Sequence, residues 1–132
     1  FDKSLDIKDF DISFARGLSL EDGCATITNF TAYLIAKGIE YANGNNINPI
    51  KFLVCGGGRK NDYLINSIKN YLLHKKNISL NSIDDYGLNG DYVESQAFGY
   101  LAIRSFLNLP ISYPKTTGCA TPTVGGKLAQ SF

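Results

Sequence analysis

Three consecutive glycines, Gly56-Gly57-Gly58, stand between the apolar run Lys51–Cys55 and a helical pattern that begins at Asn61 or Asp62. Each glycine forfeits roughly 0.5–1 kcal/mol relative to alanine through lost chain entropy, so three in a row need a reason. One reason is positive φ in a tight strand-to-helix turn. The other is a ligand pressed against bare backbone. Open α/β sheets bind ligands at the carboxyl edge of their strands, and the free N–H groups of a helix start favour an anion such as a phosphate. Position alone leaves the empty turn and the ligand site equally open. Two phosphate motifs fail on the letters: GGGRKNDY lacks the G-x-x-x-x-G-K-[ST] pattern, and G-x-G-x-x-G meets Asn61 where its third glycine belongs. Dinucleotide binding is weakened by this, not excluded.

The acidic residues offer a second chemistry. Glu94 lies one turn before Ala97 and Phe98, on or beside the apolar stripe of its helix. An inward carboxylate is costly unless it is paired or faces a polar cavity. It reads either as a first-turn charge that stabilises its own helix or as a substrate-facing group that binds hydroxyls. Asp84 and Asp85 are expected to be solvated loop carboxylates. His74, the only histidine, falls in the basic helix end His74-Lys75-Lys76, where a cation complements the helix dipole. Cys24, Cys55 and Cys119 form no CxxC pair and no metal-ligand spacing, so reduced thiols are expected, with no zinc site.

The elements that must position these residues follow from periodicity. Residues 1–18 mix charged and apolar residues without a sustained period and read as an extended leading segment; residues 19–132 form the body. Ser19-Leu20-Glu21-Asp22 resembles a capping box with Asp in place of Glu. Ile27, Phe30, Leu34 and Ile35 then recur at helical spacing until Asn43-Gly44 stops the helix. Lys51–Cys55 fits a buried parallel strand. The next helix turns Leu64, Ile65, Ile68 and Leu72 inward. Ile78 and Leu80 mark a weaker strand, and Asp84-Asp85-Tyr86-Gly87 reads as a loop. Asp91 can cap a third helix, with Val93, Ala97, Phe98 and Leu101, that ends near Asn108. The tail, with Pro114, Gly118, Pro122, Gly125 and Gly126, reads as turns. Helix, strand, helix, strand, helix is an α/β order with at least one crossover. Two strands make a poor sheet by themselves, so further strands are expected upstream, as is also suggested by a first residue that is Phe1.

With 132 residues, 44% hydrophobic and 19% charged, the composition is ordinary for one globular domain. A net charge of +1, from 13 basic and 12 acidic residues, gives no footprint for nucleic acid or an anionic membrane. No apolar stretch is long enough to cross a bilayer.

Four ordered blocks carry a family resemblance: GLSLEDGCATITNFTA, FLVCGGGRKNDYL, DDYGLNGDYVESQAFGYLAIRSFLNLP and PKTTG. Together they run from about Gly17 to about Gly126 and resemble the anhydro-N-acetylmuramic acid kinases. That family shows a strand–CGGG–xxN–helix element and a later glycine-led E-[AS]-x-A-F-x-x-L-A helix, which Gly87 through Glu94 to Ala102 resembles. The resemblance implies an actin-like ATPase (ribonuclease H-like) fold of two domains, with this chain as the later part of the second. It implies that Gly56, Gly57, Gly58 and Asn61 contact ATP, and that Glu94 faces the sugar. The implied reaction opens the 1,6-anhydro ring with water and passes the ATP γ-phosphate to O6, with Mg²⁺ offsetting charge. The family's phosphate loop and catalytic aspartate lie before the covered region, so no catalytic residue is assigned here, and the chain alone is expected to be inactive. The resemblance further implies a cytoplasmic enzyme of peptidoglycan recycling, with a sugar and ATP as partners, and leaves room for a homodimer of the complete protein. Rival readings are another actin-like phosphotransferase or nucleotide-dependent activator, a non-catalytic α/β interaction module, and a dinucleotide binder.

Overall fold

The computed structural model describes residues 7–127 and 129. The first six residues of the leading segment, and Leu128 and 130–132 at the end of the body, lie outside the described residues. The fold is α/β with a small parallel sheet, and the chain divides into two compact units.

Residues Ile12–Val93 form one unit. Helix α1, Leu20–Asn43, starts where the Ser19 hydroxyl accepts the Asp22 N–H at 3.1 Å, the expected cap. It stops at Gly44, whose φ of 55° suits a residue without Cβ. Strand β1, Ile50–Val54, and strand β2, Ile78–Ser82, pair in parallel, with Phe52 opposite Leu80. Parallel neighbours need a crossover, and helix α2, Asp62–Leu72, supplies it.

The core lies where α1 and α2 meet over one sheet face. Ala32, Ala36, Ile39, Ile68 and Leu72 are buried, with Phe52, Leu64, Ile65, Ile78 and Leu80 packed against them. The inner face of α2 is the expected one. The inner face of α1 is not: Ile27 and Ile35 are exposed, and the buried line is Ala32, Ala36, Ile39 and Asn43. Alanines at i and i+4 let α2 come close, so the small side chains take the seam and the larger ones border it.

Among its described residues, the leading segment is not extended. Short 3-10 turns form at Ile7–Asp9 and Ser13–Ala15, and Phe14 packs edge-on against Phe30 with ring centroids 5.1 Å apart. Both rings are apolar, so stacking one on the other removes area from water that an extended strand would leave exposed.

The second unit holds Glu94 onward together with the stretch up to Asp11. Its main element is helix α3, Val93–Phe106. The Arg104 guanidinium donates to the Pro110 carbonyl at 2.7 Å and to the Tyr113 hydroxyl at 2.8 Å, folding the following segment back on the helix. The tail is more ordered than a run of turns: Pro114–Thr117 makes one helical turn, α4, and Ser112 bridges Thr123. Within the described residues, no helix is long and apolar enough to cross a membrane.

Candidate functional site

The glycine triplet connects the end of β1 to the start of α2, at the carboxyl ends of both strands. Gly56 has φ 79°, which asks for glycine on backbone grounds. Gly57 and Gly58 have no such φ. A Cβ on Gly57 would meet nothing within 4 Å, and one on Gly58 would make only an ordinary contact with Leu64 at 3.6 Å. Both are exposed. Nothing in the described residues therefore requires glycine at 57 or 58, and the backbone there is bare and open.

Asn61 closes the turn as the cap of α2, its side-chain oxygen accepting the Leu64 N–H at 3.0 Å. Of the two capping candidates, it is Asn61 and not Asp62. Gly56, Gly57, Gly58 and Asn61 are thus brought together on one connection.

Behind them lies a charge cluster that the sequence reading missed. The Arg59 side chain is only 7% exposed. Its Nε donates to Asp84 at 2.5 Å and its Nη2 to the same carboxylate at 3.3 Å. Nη1 reaches Asp91 at 2.6 Å and the Gly56 carbonyl at 2.9 Å. Lys60 donates to the other Asp91 oxygen at 2.7 Å. The Gly56 N–H donates to the Gly90 carbonyl at 2.9 Å, while the Gly90 N–H and the Ser82 hydroxyl both donate to Asp84.

Two expectations are corrected here. Asp84 is half exposed but not a loop carboxylate without a partner: it sits in a 3-10 turn, Ile83–Tyr86, and holds Arg59. Asp91 lies two residues before α3 begins, and its carboxylate is taken by Arg59 and Lys60. The Arg59 guanidinium first, then the Gly90 amide and the Ser82 hydroxyl, hold the Asp84 carboxyl well below the usual range. Arg59 and then Lys60 lower Asp91 to about 2. Asp91 and then Asp84 raise Arg59 in return. All three are charged at neutral pH, so this cluster has no proton to give or take there. Arg59 is also no loose phosphate ligand, because its guanidinium already makes four hydrogen bonds within the cluster.

Glu94 belongs to the other unit, in the first turn of α3, and is exposed. Of the apolar stripe expected beside it, Ala97 and Phe98 are exposed, Phe98 at 64%, while Val93 and Leu101 are half-buried. The carboxylate is exposed and carries no burial cost, which leaves both the first-turn and the substrate-facing readings open. His74 has a specific partner, the Glu40 carboxylate at 2.8 Å, rather than serving only as a basic helix end. The three cysteines are free thiols. Among the described residues, no group of three or more His, Cys, Asp or Glu side chains is arranged to hold a metal ion.

The family model for anhydro-N-acetylmuramic acid kinase matches residues 7–130. The chain belongs to this family. A relative from Pelagibacter ubique (strain HTCC1062), named anhydro-N-acetylmuramic acid kinase, is 49% identical over 130 residues, which are 98% of this chain and 34% of that protein. One of the same name from Zymomonas mobilis subsp. mobilis is 41% identical over 126 residues, 96% of this chain and 33% of the relative. An anhydro-N-acetylmuramic acid kinase 2 from Jannaschia sp. (strain CCS1) is 37% identical over 129 residues, 98% of this chain and 32% of the relative. The chain spans about a third of the length of the curated relatives it matches.

Proposed function

We propose that this chain supplies the nucleotide-facing wall of an ATP-dependent kinase acting on 1,6-anhydro-N-acetylmuramic acid. The observation that carries this reading is the bare backbone at Gly57 and Gly58, glycines for which the chain offers no steric reason. An adenosine moiety lying on that backbone supplies the reason. In this reading Gly56, Gly57, Gly58 and Asn61 line the nucleotide, and residues 19–132 are the later part of the second domain of an actin-like fold. Glu94 accepts sugar hydroxyls, a role for which its exposure leaves it free.

The reaction forms a bond between the γ-phosphorus and the sugar O6 as the bond from the γ-phosphorus to the ADP oxygen breaks, while the hydroxyl of water adds at C1, the C1–O6 bond breaks and one proton is released. The products are N-acetylmuramic acid 6-phosphate and ADP. Mg²⁺ would offset phosphate charge in such a transfer. Asp84 and Asp91 do not fit it, because both are bound to Arg59. What this chain contributes is orientation of the nucleotide. In this reading the complete enzyme works in the cytoplasm, in peptidoglycan recycling.

Grafting this chain in place of the matching third of the Pelagibacter ubique relative tests the reading. The chimera should phosphorylate the anhydro sugar, and the 132-residue chain alone should not. Gly57→Leu should raise the KM for ATP by about tenfold, the loss of a close ligand approach, and Glu94→Gln should raise the KM for sugar alone. An active chimera whose ATP KM ignores Gly57→Leu would refute the nucleotide wall.

A further inference from the structure

Arg59 is not part of the glycine triplet, yet its side chain reaches every segment that shapes it. It grips the Gly56 carbonyl through Nη1, the turn after β2 through Asp84, and the segment before α3 through Asp91. Gly56 is the residue whose positive φ sets the turn, and its two backbone groups are both fixed: the carbonyl by Arg59, the N–H by the Gly90 carbonyl. Gly90 is buried, and the guanidinium lies so close to it that a Cβ there would stand 2.5 Å from Nε. The plane of the guanidinium is therefore wedged between two loops that are 25 and 32 residues from it in sequence.

We propose that Arg59 is a positioning residue for the nucleotide: it holds the Gly56–Gly58 backbone in its ligand-ready shape without touching the ligand. The proposal rests on the nucleotide reading of that turn given above. A planar fork with five donors can serve two carboxylates and a carbonyl at once; a lysine ammonium, a point charge on a flexible stem, cannot reproduce that geometry. Arg59 is nearly buried and makes four hydrogen bonds, so its effect on ATP passes through backbone placement, not through charge offered to phosphate. A site loosened in this way loses ligand affinity while the chemical step on the bound ligand is kept.

The test uses the grafted kinase, with melting temperature recorded for each variant. Arg59→Lys should raise the ATP KM by about tenfold, as misplacement of a binding backbone does, while kcat at saturating ATP and the KM for the sugar stay within about twofold. Asp91→Asn, which spares both bonds to Asp84, should raise the ATP KM by a smaller factor, about threefold. It serves as the decisive variant should Arg59→Lys fail to fold. In the 132-residue chain, Arg59→Lys should also speed hydrogen exchange at the Gly56 amide. If Gly57→Leu raises the ATP KM while folded Arg59→Lys and Asp91→Asn leave it unchanged, the positioning role is overturned and the nucleotide wall stands. If all three are silent, both readings fail. Equal losses in ATP KM, sugar KM and kcat would mark a general defect and overturn the positioning role as well.

Discussion

The guanidinium of Arg59 lies against Gly90, so that a Cβ at position 90 would stand 2.5 Å from Nε, 2.8 Å from Cζ and 2.9 Å from Cδ. Gly90 does not have positive φ, so the side chain above it is the reason for glycine there. Gly90→Ala must push the guanidinium away from Asp84 and Asp91. A loss of about 1–3 kcal/mol is expected, as for overpacking at other tight sites. Gly57→Ala has open space and should change stability by no more than about 0.5 kcal/mol. Urea denaturation of the two variants should show midpoints well apart, and equal midpoints would contradict the packing described here.

Acid should weaken the fold through the same cluster. Asp91 is held at about 2 against an ordinary 3.8, and Asp84 is held lower still, mainly by Arg59. Their folded values are depressed, so the unfolded chain takes up protons first as pH falls. The stabilisation is complete above about pH 5 and is lost progressively toward pH 2. Asp91→Asn should flatten part of that slope and leave the pH 6–8 plateau flat. A variant whose melting temperature tracks pH as steeply as the parent between pH 5 and pH 2 would show that Asp91 does not carry it. Both carboxylates are partly open to solvent, so added salt should shrink the effect.

What could be read from sequence follows the range of the interaction. The Ser19 and Asn61 caps are three-residue events and were legible, as were both strands and the inner face of α2. The Arg59 cluster was not, because its carboxylates are separated from it by 25 and 32 residues and no local period announces a salt bridge. The sequence did hold one signal, Asn89-Gly90-Asp91 after an acidic pair, but it reads equally as a solvated loop. The seam of α1 was misread because the eye follows large apolar residues, while the close approach of α2 selects Ala32 and Ala36. Glu94 was read as lying on or beside the stripe of α3, yet it is exposed, and Ala97 and Phe98 of that stripe are exposed with it. Periodicity marks the face a helix will bury only when something packs against it.

Asn61 joins two roles that substitution can separate. Its side-chain oxygen caps α2 through the Leu64 N–H, and it closes the glycine turn proposed to line the nucleotide. Asn61→Ala removes the acceptor and should lower stability by about 1 kcal/mol, within the 0.5–2 kcal/mol range of lost caps. Asn61→Asp keeps an acceptor and adds a negative charge at a helix start, where the dipole favours it, so urea midpoints should return to the parent value or exceed it. The same negative charge beside a nucleotide repels it. In the grafted kinase, Asn61→Asp should therefore raise the ATP KM although the protein is fully stable. Recovery of both stability and ATP KM by Asp would assign Asn61 to the cap alone and remove it from the nucleotide wall.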